Sequence, residues 1–453
     1  MTDDLNERYH APPYPPLVHP FTHPGALAAV ARLFGLDAPD PIRSRVLEVG
    51  TGRGVNLIWI ARSLPEAICK GVDLMPEAIA DARRTTKRHG VRNTTFVAAD
   101  LCEHDLGGER FDYIIAHGVF SWTPEIVQQR VLEICRDHLA ERGVAMISYN
   151  ALPGSATRDA LRRLMLLEMD ESGGAHTEDR LAAADRVVGF FETALPGIEA
   201  LPHGPLLRAQ IEALRERDKG VLVHDDAGVF FDPYYLLQFT QWAAETGLGY
   251  VADADMRLDW MDIYPKPLRR AIVGAAEPMP RLKALQYADL AMNIGFRHSL
   301  VCRAADAGAI VHRPKLDVAA DLWVRAGDFT KEPMTGQPRK VPVKGIGSTC
   351  GQAVARALLK HPAGTARLAE LRPRVAEHMQ EIAGGDAPDA GAVDRAVLMA
   401  ACVGTVGLSA LAEHPRVRPL PIGRPKKKKD KTTKRGKSVR RGGSRSKRRC
   451  ARK

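Results

Sequence analysis

No stretch of this 453-residue chain is apolar for long enough to cross a bilayer. The longest uncharged run, Ala396 to Ala412, has 17 residues with Gly404, Thr405, Gly407 and Ser409 inside it. That is short of the roughly 20 apolar residues a spanning helix needs, so the run reads as a buried helix pair. The seven cysteines are scattered, odd in number and without a C-x-x-C pair. This argues for reduced thiols and against a disulfide framework or a zinc site. The first residues, Met1-Thr2-Asp3-Asp4-Leu5-Asn6-Glu7, are acidic and polar, unlike a signal peptide. A cytoplasmic protein with no membrane partner and no metal is expected. Acids are nearly missing from residues 424–453, which hold 17 of the 65 Lys and Arg and one of the 54 Asp and Glu, a local balance of +16. The other 423 residues carry −5, so the overall +11 belongs to the tail and not to the body. Glycines and serines interleave its basic clusters, and no apolar residue repeats with a helical period. A disordered tether to nucleic acid or another acidic partner is expected.

What is present suffices for two or three domains, since 45% of the residues are hydrophobic. Residues 9–24 are rich in Tyr, Pro and His and read as an extended arm, with His19 and His23 in its turns. A helix over 26–34 ends at Gly35. Strands are expected at 45–49, 68–72, 95–99, 112–116 and 144–149, and helices at 54–63, 76–89 and 124–140. Pro76 and Pro124 stand where a first helical turn accepts proline. This alternation predicts a parallel, doubly wound α/β sheet. After Tyr149 the pattern turns helical, with Leu161, Leu164, Met165 and Leu167 on one side of a helix over 158–170. The apolar runs at 247–252 and 296–302 suit the last strands of the sheet, interrupted by a helical insertion. Four regions are expected: arm and core (1–150), helical insertion (151–306), a mostly helical domain (307–423) with a flexible loop at 326–348, and the tail.

The chemistry is written at the strand ends. Val46-Leu47-Glu48-Val49-Gly50-Thr51-Gly52-Arg53-Gly54-Val55-Asn56 is an apolar strand carrying an acid, followed by a glycine-spaced turn that opens a helix. Asp73 ends the second strand 21 residues after Gly52, and Asp100 ends the third. An acid about 20 residues past such a turn accepts hydrogen bonds from a ribose diol. A dinucleotide site has G-x-G-x-x-G, with pyrophosphate at the helix N-terminus. Here the spacing is G-x-G-x-G, and Glu48 stands two residues before it, which suits a cationic ligand better than a pyrophosphate.

This pattern resembles the S-adenosylmethionine (SAM) site of class I, Rossmann-like methyltransferases. The resemblance implies that Glu48, Gly50, Thr51, Gly52, Gly54 and Asn56 form the turn that holds the methionine end. Asp73 and Leu74 would serve the ribose, Asp100 and Leu101 would flank the adenine, and His117 would close the site. Phe111-Asp112-Tyr113-Ile114-Ile115-Ala116-His117-Gly118-Val119-Phe120-Ser121-Trp122 and Ser148-Tyr149-Asn150-Ala151-Leu152-Pro153-Gly154 look like strand ends of bacterial methyltransferases with a regulatory domain. That domain opens with a His-Asp pair, here His224-Asp225, and an aromatic-rich helix, here Phe231-Asp232-Pro233-Tyr234-Tyr235 and Phe239. It closes on Gln286-Tyr287-Ala288-Asp289 and Phe296-Arg297. The likeness runs over residues 8–306 in order, and departs from the pattern at Asp226-Ala227-Gly228, where bulky apolar residues are expected. The family includes protein-lysine methyltransferases, which implies a protein substrate.

Methyl transfer is an in-line displacement, so the protein must align two reactants and exclude water. A lysine acceptor must also shed a proton from a group whose ordinary pKa is about 10.4. Rings and hydroxyls near the methyl suit both tasks, and a ring face stabilises a methylated ammonium. The candidates are His117, Trp122 and Phe120 after the fourth strand, and Tyr149 and Asn150 after the fifth. No Asn-Pro-Pro-Tyr or Asp-Pro-Pro-Tyr follows the fourth strand, which speaks against adenine or glutamine-amide methylation, and no cysteine motif suits C5-cytosine chemistry. A small-molecule or tRNA methyltransferase, and a SAM-sensing scaffold without turnover, stay open as alternatives.

Overall fold

The computed structural model describes residues 14–172, 177–228, 230–274, 279–326, 349–359, 361, 365–384, 386–402 and 406–412. Helix α1 (Pro24–Leu33) starts at a proline, and its first turn is capped by His23, whose Nδ1 accepts from the Gly25 amide at 3.0 Å. Then β1 (Arg45–Val49), α2 (Val55–Ser63), β2 (Ile68–Asp73), α3 (Pro76–His89), β3 (Thr94–Ala98), β4 (Phe111–Ala116), α4 (Glu125–His138) and β5 (Leu139–Asn150) alternate as the sequence predicts. Strand β5 begins five residues earlier than expected.

The sheet has seven strands in the order β3-β2-β1-β4-β5-β7-β6, where β6 is Leu248–Asp253 and β7 is Phe296–Arg303. Strands β1 to β5 run parallel, and β7 is antiparallel to both β5 and β6. Both late apolar runs thus complete the sheet, as read from the sequence. Because both faces are covered, the central strands are apolar on both sides. Val46, Tyr113, Ile115 and Met146 pack toward α1 and α2, while Leu47, Ile114, Ile147 and Tyr149 pack toward α4 and α8 (Leu236–Glu245). Successive side chains point to opposite faces, so Ser148 and Asn150 share a side that Tyr149 does not.

The insertion between β5 and β6 contains α5 (Ala156–Ser172), α6 (Thr177–Ile198) and α7 (Gly204–Arg215), which enclose Leu161, Met165, Val187, Ile211 and Leu214. A helical turn at Lys219–Val221 then passes into a π turn at Leu222–Asp226. The departure at Asp226-Ala227-Gly228 is packed by charge in place of apolar bulk. Asp226 is buried and accepts from Arg158 Nε at 2.7 Å and Arg217 Nη1 at 2.7 Å, and Arg180 Nη1 donates to the Ala227 carbonyl at 2.8 Å.

After α9 (Lys266–Val273) comes α10 (Arg281–Met292), and the two closing elements of the regulatory pattern meet between it and β7. Arg297 donates from Nε and Nη2 to the two Asp289 oxygens at 2.8 and 2.6 Å. Its Nη1 lies 3.5 Å from Asp253 and 3.6 Å from Asp259, and Arg281 Nη2 donates to Asp259 at 2.8 Å. Arg297 and all three carboxylates are fully buried. Desolvation offsets most of the Coulomb gain of such a cluster, but losing one member would leave a buried charge uncompensated.

Beyond β7 lie β8 (Trp323–Ala326), α11 (Thr349–Leu359), β9 (Thr365–Arg367), α12 (Leu368–Ala383), α13 (Ala390–Cys402) and β10 (Val406–Ser409). The run 396–412 is a helix followed by a strand, and not the expected helix pair. Val406–Ser409 pairs antiparallel with β8, a ladder that suits its Val, Gly and Ser better than a helix. The expected separate helical domain shares its core with the sheet layer: Val324, Val354 and Leu398 cluster with Leu27 and Leu57. The Ala410 amide also donates to the Gly25 carbonyl at 2.8 Å. The loop at 327–348, the tail and residues 9–13 of the arm lie outside the described residues. No described helix is long and apolar enough to cross a membrane, and no cluster able to hold a metal occurs among the described residues.

Candidate active site

The glycine turn leaves β1 with Gly50, Gly52 and Gly54 all at positive φ, near 68°, 54° and 69°. A Cβ on Gly50 would strike Val119 Cγ2, and the residue carrying it would have to adopt a positive φ, so glycine suits the position. A Cβ on Gly52 would meet nothing within 4 Å. The turn therefore borders open space at the position where the sequence places the ligand. Asp73 crosses from β2 to brace it, with Oδ2 accepting from the Gly52 amide at 2.7 Å and Oδ1 from the Met75 amide at 2.9 Å. Each oxygen keeps a lone pair for a ribose hydroxyl. Burial raises the Asp73 carboxyl above its ordinary pKa, and the two amides pull the other way. Leu74 is 47% exposed beside it, an apolar platform at the sheet edge. Asp100 is exposed, accepts from the Cys102 amide at 2.8 Å, and precedes the half-buried Leu101.

Glu48 lies beneath the turn and not at its surface. Its oxygens accept from Thr51 Oγ1 at 2.5 Å and Asn56 Nδ2 at 2.7 Å, and the side chain is buried. Burial pushes its pKa up to about 7, against the pull of the two hydrogen bonds. Glu48 thus shapes the turn from beneath, through Thr51 and Asn56. Asn56 carries the frame outward: Nδ2 also donates to Thr22 Oγ1 at 2.9 Å, and Oδ1 accepts from the His19 amide at 2.9 Å. The arm is therefore tied to the turn through one side chain.

That tie brings five rings together at the C-terminal edge of β4. The His117 centroid lies 4.2 Å from His19, 5.2 Å from Phe21, 5.7 Å from His298 and 6.2 Å from Phe296. Phe21 approaches His298 at 4.3 Å. His117 Nδ1 is held by Ser148 Oγ at 2.9 Å, and the same hydroxyl oxygen accepts from the Gly118 amide. Burial holds the His117 imidazole well below its ordinary pKa, reinforced by His19 and His298. His298 is lowered to about 4, first by burial. Both rings are neutral near pH 7.

The other acceptor-side candidates separate. Tyr149 is fully buried on the opposite face of the sheet, stacked on Phe239 at 4.3 Å with its hydroxyl 3.0 Å from Ser299 Oγ; it is a core residue, drawn there by strand alternation. Phe120 is likewise buried against Phe239, Tyr234 and Trp242. Trp122 joins a second cluster, 5.1 Å from Phe231 and under the Arg158 guanidinium at 5.1 Å. Asn150 borders that cluster, its Oδ1 receiving Arg158 Nη1 at 3.3 Å, while its buried Nδ2 has no hydrogen-bond partner among the described residues. His23 is buried and structural, reaching Ser63 Oγ at 2.8 Å. The sequence reading missed Phe21 and His298 altogether, and took His19 for a turn residue and Phe296 for a motif position. The apolar run 296–302 and the Phe-Arg pair beside His298 pointed to that strand, but not to a ring at the site.

Two family models match the chain: "Methyltransferase domain" over residues 46–143 and "Predicted methyltransferase regulatory domain" over 218–303. The chain belongs to the class I SAM-dependent methyltransferases that carry a methyltransferase regulatory domain, and SAM is the cofactor that the cradle at Gly52, Asp73 and Leu74 fits. Among its relatives are two uncharacterized proteins of Rickettsia prowazekii. RP789 is 30% identical over 65% of this chain and 52% of its own length, and RP028 is 30% identical over 52% of this chain and 93% of its own. This chain thus spans about half the length of RP789. The same fold is seen in PKMT2 from Rickettsia typhi, with a TM-score of 0.70 at 22% identity over 88% of this chain and 78% of that one. PKMT2 in complex with AdoHcy gives a TM-score of 0.69 at 24% identity, covering 88% of this chain and 77% of that one.

Proposed function

We infer that the protein transfers the methyl group of SAM to lysine side chains of a protein acceptor in the cytoplasm. The observation that carries this is the chamber of His19, Phe21, His117, Phe296 and His298 at the strand edge, tied by Asn56 to the glycine turn. Bound SAM supplies a methyl group activated by a sulfonium. The chain supplies alignment, exclusion of water and rings whose faces favour a cationic nitrogen over a charged carboxylate or phosphate acceptor. The imidazoles of His117 and His298 are neutral, so they do not repel an incoming ammonium. The protein-lysine methyltransferase PKMT2 shares the fold, which supports the same acceptor class. Incubating the full chain with methyl-labelled SAM and a protein extract, then mapping the label by mass spectrometry, should place it on lysine. Label confined to RNA or to small molecules would reject this reading.

The tail adds a second partner. With 17 basic groups and one acid, residues 424–453 would displace counterions from a polyanion without sequence preference. If about half of those groups engage duplex DNA, log affinity should fall with log salt at a slope near −7 or −8. Ending the chain at Gly423 should remove that binding and leave methylation unchanged. Equal nucleic-acid affinity with and without the tail would rule the tether out.

A further inference from the structure

The regulatory segment places one histidine in the chamber that is built unlike its neighbours. His298 lies on β7, and its amide donates to Asp253 Oδ2 at 2.9 Å. Its Nδ1 lies 4.0 Å from Asp253 Oδ1. Among the described residues no hydrogen bond engages either of its ring nitrogens, whereas His117 Nδ1 is held by Ser148. Asp253 cannot swing away, because its Oδ1 accepts from the Asp255 amide at 2.8 Å and Arg297 lies 3.5 Å from its Oδ2. The buried cluster of Arg297, Asp289, Asp259 and Arg281 fixes β6 and β7 in register behind it. Of the groups facing His298, Asp255 favours its protonated form, while burial, His19 and Arg257 oppose it; the Asp253 carboxyl beside it is itself raised to about 8, first by burial. His117 has no carboxylate among the charged groups that act on it, only His19 and His298.

We propose that His298 is the residue that takes the proton from the acceptor ammonium, that Asp253 positions it by accepting from its backbone amide, and that Asp255 favours the imidazolium formed. This rests on the lysine reading above. The lysine N–H bond breaks with its electron pair left on nitrogen, and the proton passes to an imidazole nitrogen of His298. The amine nitrogen then bonds to the methyl carbon as the carbon–sulfur bond breaks, its pair staying on sulfur. The products are a methylated ammonium and uncharged S-adenosylhomocysteine, and His298 returns its proton to solvent. A segment named for regulation would on this account complete the catalytic site.

The test uses the full chain, methyl-labelled SAM and the acceptor protein that the wild type labels, purified. His298→Gln and His298→Ala should bind SAM within about twofold of wild type by calorimetry, which also reports folding. Their kcat at pH 7.5 should fall about 100-fold, the lower end of the usual effect of a lost general base. The deficit should shrink as pH approaches the ordinary lysine pKa of about 10.4, where solvent has already removed the proton. Added imidazole should restore part of the kcat of His298→Ala. Asp255→Asn should shift the acid limb of the kcat profile to lower pH, whereas a packing defect would scale kcat equally at every pH. Variants that keep wild-type kcat at pH 7.5, or that lose it equally at all pH without imidazole rescue, would overturn the proposal. If lysine is labelled and these variants are unaffected, only this inference fails. If the wild type labels no lysine, the lysine reading fails and takes this inference with it.

Discussion

The two halves of the site are built on opposite principles. The cofactor half comes from consecutive β–α connections, with Gly50, Gly52 and Gly54 after β1 and Asp73 after β2. In a parallel sheet every such connection emerges at the same edge, so residues about 20 apart in sequence meet in space. The half we propose for the acceptor comes from His19 and Phe21 on the arm, His117 after β4, and Phe296 and His298 on β7. Those segments meet only because β7 enters antiparallel beside β5, and because Asn56 ties down the arm. A sequence pattern can encode the first kind of site. The second kind has no fixed spacing to encode.

Substitutions on the two sides should therefore fail differently. The largest effect is expected for Gly52→Arg, which fills the open space beside the turn. SAM binding should become undetectable by calorimetry; a Cβ there meets nothing within 4 Å among the described residues, so the cost to the fold is the strain of a side chain at φ 54° and no clash. Retained binding would show that the cradle lies elsewhere. On the same side, Asp73→Ala removes a charge-assisted contact to the ribose, worth roughly 1.5–3 kcal/mol, and should weaken SAM by about 10- to 150-fold. Its counterpart on the acceptor side is Phe21→Ala, which opens the ring chamber. Turnover should drop about tenfold with SAM affinity nearly intact, as expected for a lost alignment surface. A drop in SAM affinity equal to the drop in turnover would merge the two halves into one.

A subtler difference concerns pH. Glu48 has its pKa raised to about 7, first by burial, so in the free protein it is partly protonated near neutrality. A cationic ligand favours the ionised carboxylate. SAM affinity should therefore weaken as pH falls below about 7 and level off above it, and Glu48→Gln should flatten that dependence in calorimetric titrations. In the cofactor-free protein the sign reverses. The contribution of this group to stability is full below the unfolded pKa of about 4.5 and is lost as pH rises through about 7. The smallest effect is expected for Tyr149→Phe, which deletes only the hydroxyl facing Ser299. It should cost about 1 kcal/mol in denaturant unfolding and leave turnover per bound SAM unchanged. A large loss of turnover would return Tyr149 to the acceptor side.

These assignments show where sequence reading carries and where it stops. The alternation of apolar strands with proline-started helices is local, and β1 to β5 follow it closely. Glycine spacing and strand-end acids are local too, so the turn at Gly52 and the acid Asp73 that braces it were legible in the sequence, whereas the tie that Asn56 makes to the arm was not. Tyr149 and Asn150 were read together because they are neighbours in the chain, yet strand pleating sends their side chains to opposite faces. Trp122 follows His117 by five residues but turns toward Phe231 and Arg158. The run 396–412 misled because an uncharged stretch does not declare its period, and pairing with Trp323–Ala326 decided its second half as strand.

By itself the sequence determined the parallel α/β order, the SAM turn, the acid that braces it and a tail whose charge is independent of the body. These depend on residue type and short spacing, which are properties of the chain before it folds. Only the tertiary structure decided which rings gather at the strand edge, that Glu48 lies beneath the turn, and that Arg297, Asp289, Asp253 and Asp259 form one buried ion cluster. Those outcomes depend on contacts between distant segments and on which charges lose their water, and neither exists until the sheet has closed.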